Sequence, residues 1–220
     1  MATETTYEKR GLIDGVGNLY TQWLTDEGSP TIAPTYDSTV YETPSVQKVE
    51  VALTVNDKEI YLSNKLHDKK ERVTKAEITL DAGYFTAGFA EEAQGMIKVG
   101  EGAWVMPENP KKKPFRLSFP ITDNNDDEVI MIFPKCTLGV ANTSASTRTE
   151  EAQEQIPSYT ITSTPLLYKK TANDTNGVYM LVDLTTEEAK QAWDRVKLLT
   201  ETIYDATTLQ TAKQEITPEG

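Results

Sequence analysis

At 220 residues, with 38% hydrophobic and 25% charged side chains, the chain suits one domain with appendages and can bury a core. A mean hydropathy of -0.49, with no apolar run near the ~20 residues that hydrocarbon requires, excludes a membrane helix. A net charge of -12 with few clustered cations argues against specific nucleic-acid binding, and a lone cysteine (Cys136) and lone histidine (His67) leave no internal disulfide and too few ligands for an ordinary zinc site.

Threonine occurs 31 times, and its branched side chain suits a pleated surface better than a helix interior. Residues 1–10 are polar and acidic, with no apolar signal-peptide core, and read as a flexible N-terminal arm of a protein kept in the cytoplasm. Val16 to Leu24 predicts a first strand, entered through Gly11, Gly15 and Gly17 and broken by Asp26-Glu27-Gly28-Ser29-Pro30. The stretch punctuated by Pro34 and Pro44 reads as extended but irregular. Lys48 to Val55 is the cleanest strand, with Val49, Val51, Leu53 and Val55 alternating with Glu50, Ala52 and Thr54. After polar Asn64 to Lys70, a second alternation runs through Val73, Ala76, Ile78 and Leu80, with a register change near Lys75. Together these predict a hairpin with a protruding charged loop.

Phe85 to Ala93 predicts a short helix closed by Gly95. Strands follow at Trp104 to Met106, Phe115 to Thr122 and Glu128 to Leu138, the last two joined at Asp123-Asn124-Asn125-Asp126-Asp127. Asn142 to Gln155 has almost nothing to bury and reads as a mobile surface loop. Tyr159 to Leu167 and Val178 to Leu184 complete the strands. Thr185 to Ile203 predicts one helix, with Thr185 and Glu188 spaced as a capping box and Ala189, Trp193, Val196, Leu199 and Ile203 as its apolar stripe. Asp205 to Gly220 reads as a polar, frayed tail. The sum is a mainly β fold, an antiparallel β-sandwich or barrel over 11–184, with a short internal helix, a C-terminal helix over 185–204 and a tail over 205–220.

No constellation reads as catalytic. The early glycines precede a strand rather than opening a helix, so they mark a strand start or bulge, not a nucleotide loop. The acidic turn from Asp123 has Glu128 and Pro134 where a calcium loop needs Gly and a bidentate Glu. Glu91-Glu92 and Glu187-Glu188 are helix neighbours that point apart, unlike a paired acid and base. His67 reads as an exposed loop residue and Cys136 as a small buried hydrophobe. The expectation is a protein with no catalytic residue, cofactor or metal.

Read in order, Gly15-Val16-Gly17-Asn18-Leu19-Tyr20, Pro34-Thr35-Tyr36, Val46 to Asn56, Ile60-Tyr61-Leu62, Ala76-Glu77-Ile78-Thr79-Leu80, the helix ending at Gly95, Phe133-Pro134-Lys135-Cys136-Thr137-Leu138 and Ile156 to Pro165 resemble the major tail tube proteins of siphophages that infect Gram-positive bacteria. The resemblance spans about 11–168 and rests on order and spacing; residues after 170 match it less well. It implies a tail-tube-type β-sandwich of two packed sheets, with subunits in hexameric rings stacked into a hollow tail tube. DNA would pass through the lumen without specific binding. It also implies contacts with tape measure, tail terminator and distal tail proteins, no membrane partner, and a place in the virion tail after assembly in the host cytoplasm.

In that family the loop between the second and third strands reaches a neighbouring subunit or ring. Here it would be Ser63 to Arg72, whose Lys65, His67, Asp68, Lys69, Lys70, Glu71 and Arg72 become candidate inter-subunit residues. The same segment also reads as a plain solvated hairpin tip. From a different class, a β-sandwich ligand- or carbohydrate-binding module would use exposed aromatics such as Tyr36, Tyr41 and Tyr61. A hydrolase on a β scaffold has the least support.

Overall fold

In a computed structural model, which describes residues 11–62, 65–140, 156–169 and 177–214 and, within 58–70, the backbone alone, the alternating segments join into one antiparallel sheet of nine strands. The strands are β1 (Ile13–Val16), β2 (Leu19–Asp26), β3 (Thr35–Thr43), β4 (Val46–Leu62), β5 (Lys65–Ala82), β8 (Phe115–Asp123), β9 (Glu128–Leu138), β10 (Ser158–Ser163) and β11 (Met180–Asp183). Between β5 and β8, β6 (Ile97–Gly100) and β7 (Ala103–Val105) pair as a separate hairpin.

The order β3-β2-β8-β9-β10-β5-β4 leaves β3 and β4 as edges. On β8, β1 takes over the pairing beyond the end of β2, and on β9, β11 does so beyond the end of β10. β1 also comes against β4 from the far end of that order, so the sheet curls on itself as a barrel does. The mainly β, antiparallel fold expected from the sequence is the fold observed.

Alternation along β8 builds two cores. Phe115, Leu117 and Phe119 pack with Met131, Phe133, Ile78, Leu80, Ile161 and Phe89 of α1 (Phe89–Ala93) inside the curl. On the opposite face of the sheet, Ile130, Ile132, Val182 and Leu184 pack against Leu198, Leu199 and Ile203 of the C-terminal segment. β8 and β9 are thus buried on both faces, which explains why β9 reads as a nearly continuous apolar run from Val129 to Pro134, while β8 sets Arg116 and Ser118 on its second face.

Several expectations need correction. The single first strand is two, because at Gly17 the backbone turns against Pro120, where a Cβ would stand 2.7 Å from the ring, and its N–H donates to the Pro120 carbonyl at 3.0 Å. The stretch between Pro34 and Pro44 is extended and irregular as expected, but it is an edge strand: both prolines lie just outside β3, and its ladder with β2 shifts register twice, between Gln22 and Leu24 and between Leu24 and Asp26. The predicted internal helix is shortened to α1, and β6 went unpredicted.

The predicted long C-terminal helix is two short ones, α2 (Glu187–Ala192) and α3 (Arg195–Thr200), and a third, α4 (Ala206–Leu209), stands in the predicted tail. Asp194 breaks the predicted helix. Its carboxylate accepts from the Val196 and Lys197 N–H groups at 2.9 and 3.1 Å, starting a new helix, while Trp193 becomes extended and bridges to Lys213. Thr186, not Thr185, caps α2, and Val196 of the predicted stripe is exposed. The predicted tail is ordered through Gln214, with an Asp205–Thr208 capping box and a buried Ala212. The predicted N-terminal arm, the loop from Asn142 to Gln155 and the last six residues lie outside the described residues.

Candidate assembly surface

β4 and β5, of 17 and 18 residues, are the longest strands, and they pair with each other from Val46↔Ala82 out to Leu62↔Lys65. Only the inner part of β5, Ala76 to Asp81, also pairs with β10. Beyond it, each strand has the other as its hydrogen-bonded neighbour among the described residues, so the hairpin leaves the sheet as a two-stranded arm. From Val55 to Leu62 that arm runs about 25 Å at ~3.4 Å per residue. It leaves at a bulge: Thr54 pairs with Lys75 but Val55 with Val73, which makes Thr74 the extra residue. This is the register change legible near Lys75.

The apolar row of this ribbon does not stop where the core stops. Ile78 and Leu80 are fully buried and Val49 and Val51 partly so, all of them packed in the inner core. Leu53, Val55 and Val73, next along the same alternation, are 43%, 45% and 37% exposed. A two-stranded ribbon is marginal alone in water. One that carries its apolar row into solvent along an unpaired edge has a surface suited to another chain.

The predicted protruding loop is therefore corrected. Lys65, His67, Asp68, Lys69, Lys70, Glu71 and Arg72 all lie on β5 itself, the strand that joins the arm to β10. The ladder sets Lys69 across from Glu59, Lys70 from Lys58, Glu71 from Asp57 and Arg72 from Asn56. Ile60 pairs with Asp68 and Tyr61 with Leu66, which leaves His67 as a second bulge.

Two fully buried ionisable groups, Arg116 and Cys136, are strongly perturbed, and their roles are structural. Arg116 is fully buried and lies under the C-terminal segment. Its Nη2 donates to the Leu198 carbonyl at 2.9 Å, its Nη1 to the Leu199 carbonyl at 3.1 Å and to Ser118 Oγ at 3.2 Å, and its Nε to the Ile203 carbonyl at 3.3 Å. Leu198 and Leu199 end α3, so the cation meets the carbonyls that a helix leaves unbonded at its C-terminus. Burial pushes its pKa down to about 10, which leaves it charged at neutral pH. Burial likewise pushes the Cys136 thiol far up, leaving no thiolate for nucleophilic work.

Neither a protein-family model nor a curated protein matches this chain. Among solved structures it is similar to the tube-terminating cap of the anti-feeding prophage, at a TM-score of 0.41 and 11% sequence identity, over 82% of this chain and 97% of that one.

Two of the aromatics proposed for a ligand site, Tyr36 and Tyr41, are engaged elsewhere. Tyr36 donates its hydroxyl to the Pro134 carbonyl at 3.0 Å and stacks on Tyr204, and Tyr41 packs against Trp23 and Phe89. The side chain of Tyr61 lies outside the described residues. Asp123, at the acidic turn, accepts from the backbone N–H groups of Gly11, Asn125 and Asp127, a turn-building role. Glu92 pairs with Lys113 and Glu187 with Lys190, so neither carboxylate pair converges.

Sequence reasoning missed Arg116 and the exposure of Leu53, Val55 and Val73. The first left no signal, because Arg116 falls on the polar register of an alternating strand, with Ser118 next along it. For the second the signal was an alternation longer than any core of this size can cover.

Proposed function

We propose that this chain is a structural subunit of a phage-type tail tube, in which hexameric rings stack into a hollow conduit for DNA. The observation that carries the reading is the β4–β5 arm, a long ribbon that leaves the sheet with its apolar row uncovered and one edge unpaired. A second copy supplies what that ribbon lacks. In a ring each subunit repeats one heterologous contact until closure, and free edges such as β3 and β4 become joints. The order of motifs along 11–168 supports the same reading. A net charge of -12 suits a wall along which DNA slides without sticking. In this reading the chain catalyses nothing and holds no cofactor; its partners are its own copies and the proteins that start, measure and end the tube.

Negative-stain electron microscopy of the concentrated protein tests this. Rings or tubes of uniform diameter are expected. A chain that stays monomeric at the highest attainable concentration, and does not grow on seeding, overturns the reading.

A further inference from the structure

Stacking requires two different faces to meet, and two unassigned patches fit each other. The first is the β6–β7 hairpin. Ile97 pairs directly with Val105, and Val99 is the extra residue of a bulge beside them, giving a row 55%, 50% and 63% exposed. The rest of the hairpin is occupied: Trp104 lies over Gly88, where a Cβ would stand 3.2 Å from the ring, and Lys98 borders a cleft with Trp23 and Phe89. Beside the row, a cleft of about 780 Å³ is lined by Leu24, Met96, Ile97, Pro107, Lys111 and Lys112. Lys111 and Lys112 are exposed. The segment 96–114 holds Lys98, Lys111, Lys112 and Lys113 against Glu101 and Glu108, a basic island in a chain of net charge -12.

The second patch surrounds the start of β1. Leu12 and Ile13 are 79% and 78% exposed, and Leu181 of β11 is 45% exposed. Ile13 and Leu181 flank a cleft of about 340 Å³ whose floor includes Val129 and Met131 and whose rim includes Asp123 and Asp127. Asp14 and Asp126 stand exposed beside it. Both patches are apolar. At the first, Glu92 and Glu27 are held by Lys113 and Lys135, which leaves Lys111 and Lys112 as the outward charges; at the second, Asp127 is held by Lys190 and Asp123 by backbone N–H groups, which leaves Asp14 and Asp126.

Their placement limits the kind of contact. The first lies where β8 begins, since the Leu24 N–H donates to the Pro114 carbonyl in the wall of that cleft. The second lies where β8 ends, since Ile13 pairs with Asp123. The nine residues of β8 thus separate them by about 27 Å at ~3.3 Å per residue. Joined between copies, such patches either close an antiparallel pair, in which each copy gives and receives the contact, or repeat head to tail, and a tube requires the second. Hairpin against hairpin would set Lys111 and Lys112 against their own copies, so charge selects the contact between unlike patches.

We infer that the β6–β7 hairpin of one copy docks on the β1–β11 end of a second copy, forming the contact along which rings stack. This inference rests on the tube reading.

Cysteine cross-linking tests it, because Cys136 is fully buried and leaves introduced cysteines as the reactive ones. On mild oxidation the double variant Val99→Cys/Ile13→Cys is expected to give a ladder of covalent multimers, and each single variant to stay monomeric on a denaturing gel. A covalent dimer from Val99→Cys alone would overturn the head-to-tail pairing. Val99→Asp, at an exposed position that leaves the fold intact, is expected to raise the concentration needed for assembly at least about tenfold, as is Lys111→Glu/Lys112→Glu. Tubes that form unchanged from these variants overturn this inference and leave the tube reading standing. A wild-type chain that forms no tube overturns both.

Discussion

The C-terminal segment and the β4–β5 arm are both attached to the same sheet, and they treat their surface in opposite ways. The C-terminal segment turns Leu198, Leu199 and Ile203 inward and hands its helix-end carbonyls to a buried arginine. The arm keeps its apolar row past the edge of the core, where Leu53, Val55 and Val73 meet solvent. Short helices with exact caps and a buried counter-charge belong to the folding of one chain. A ribbon with an unpaired edge and an uncovered row belongs to a contact between chains. Stability and assembly should therefore respond to changes in different halves of the molecule.

The largest effect on stability is expected at Arg116. Arg116→Met removes the donor to the carbonyls of Leu198, Leu199 and Ile203 and strands them in a dry site, costing roughly 3–5 kcal/mol. Urea unfolding followed by circular dichroism would read this as a lower midpoint; a loss below about 1 kcal/mol would mean that water reaches those carbonyls. Leu199→Ala, at a side chain 1% exposed, should cost roughly 2–5 kcal/mol by opening a cavity between α3 and the sheet. Asp194→Ala removes the cap that divides the C-terminal helices and should cost about 1 kcal/mol. Below their unfolding temperatures all three should still assemble at the wild-type concentration. A cap variant that is fully folded but fails to form tubes would erase the division between the two regions.

The division was only half legible in the sequence. Strand positions followed from alternation, because a half-buried strand writes its burial into every second residue, as Val49, Val51 and Ile78, Leu80 do. The bulge at Thr74 was visible for the same reason, as a slip in that alternation. The break at Trp193–Asp194 was not, because the stripe from Ala189 to Ile203 satisfies helical spacing. Only the competition between the Asp194 carboxylate and the helical backbone decides against continuity. The arm looked like a charged loop because polar residues on both faces mimic a turn, whereas cross-strand pairing extends to Leu62↔Lys65. Arg116 was illegible because its partners, the carbonyls of residues 198, 199 and 203, carry no side-chain signature and lie more than 80 positions away.

The smallest expected effect on stability is the one that speaks most directly to assembly. The ladder pairs Asn56 with Arg72, so excising 56–72 and joining Val55 to Val73 through an Asn-Gly turn removes both strands of the arm in register. Shortening one strand alone would leave the other unpaired and confuse misfolding with lost contact. The excised segment pairs with itself and not with β10, whose ladder on β5 is confined to Ala76–Asp81. The truncated monomer should therefore unfold within about 0.5 kcal/mol of wild type, the usual range for changes away from a core. Negative-stain microscopy should nevertheless show no tubes. A truncated chain that keeps its stability and still polymerises would show that the arm beyond Val55 and Val73 is not a joint. A truncated chain that loses several kcal/mol would place the arm with the C-terminal segment, as part of the fold of the single subunit.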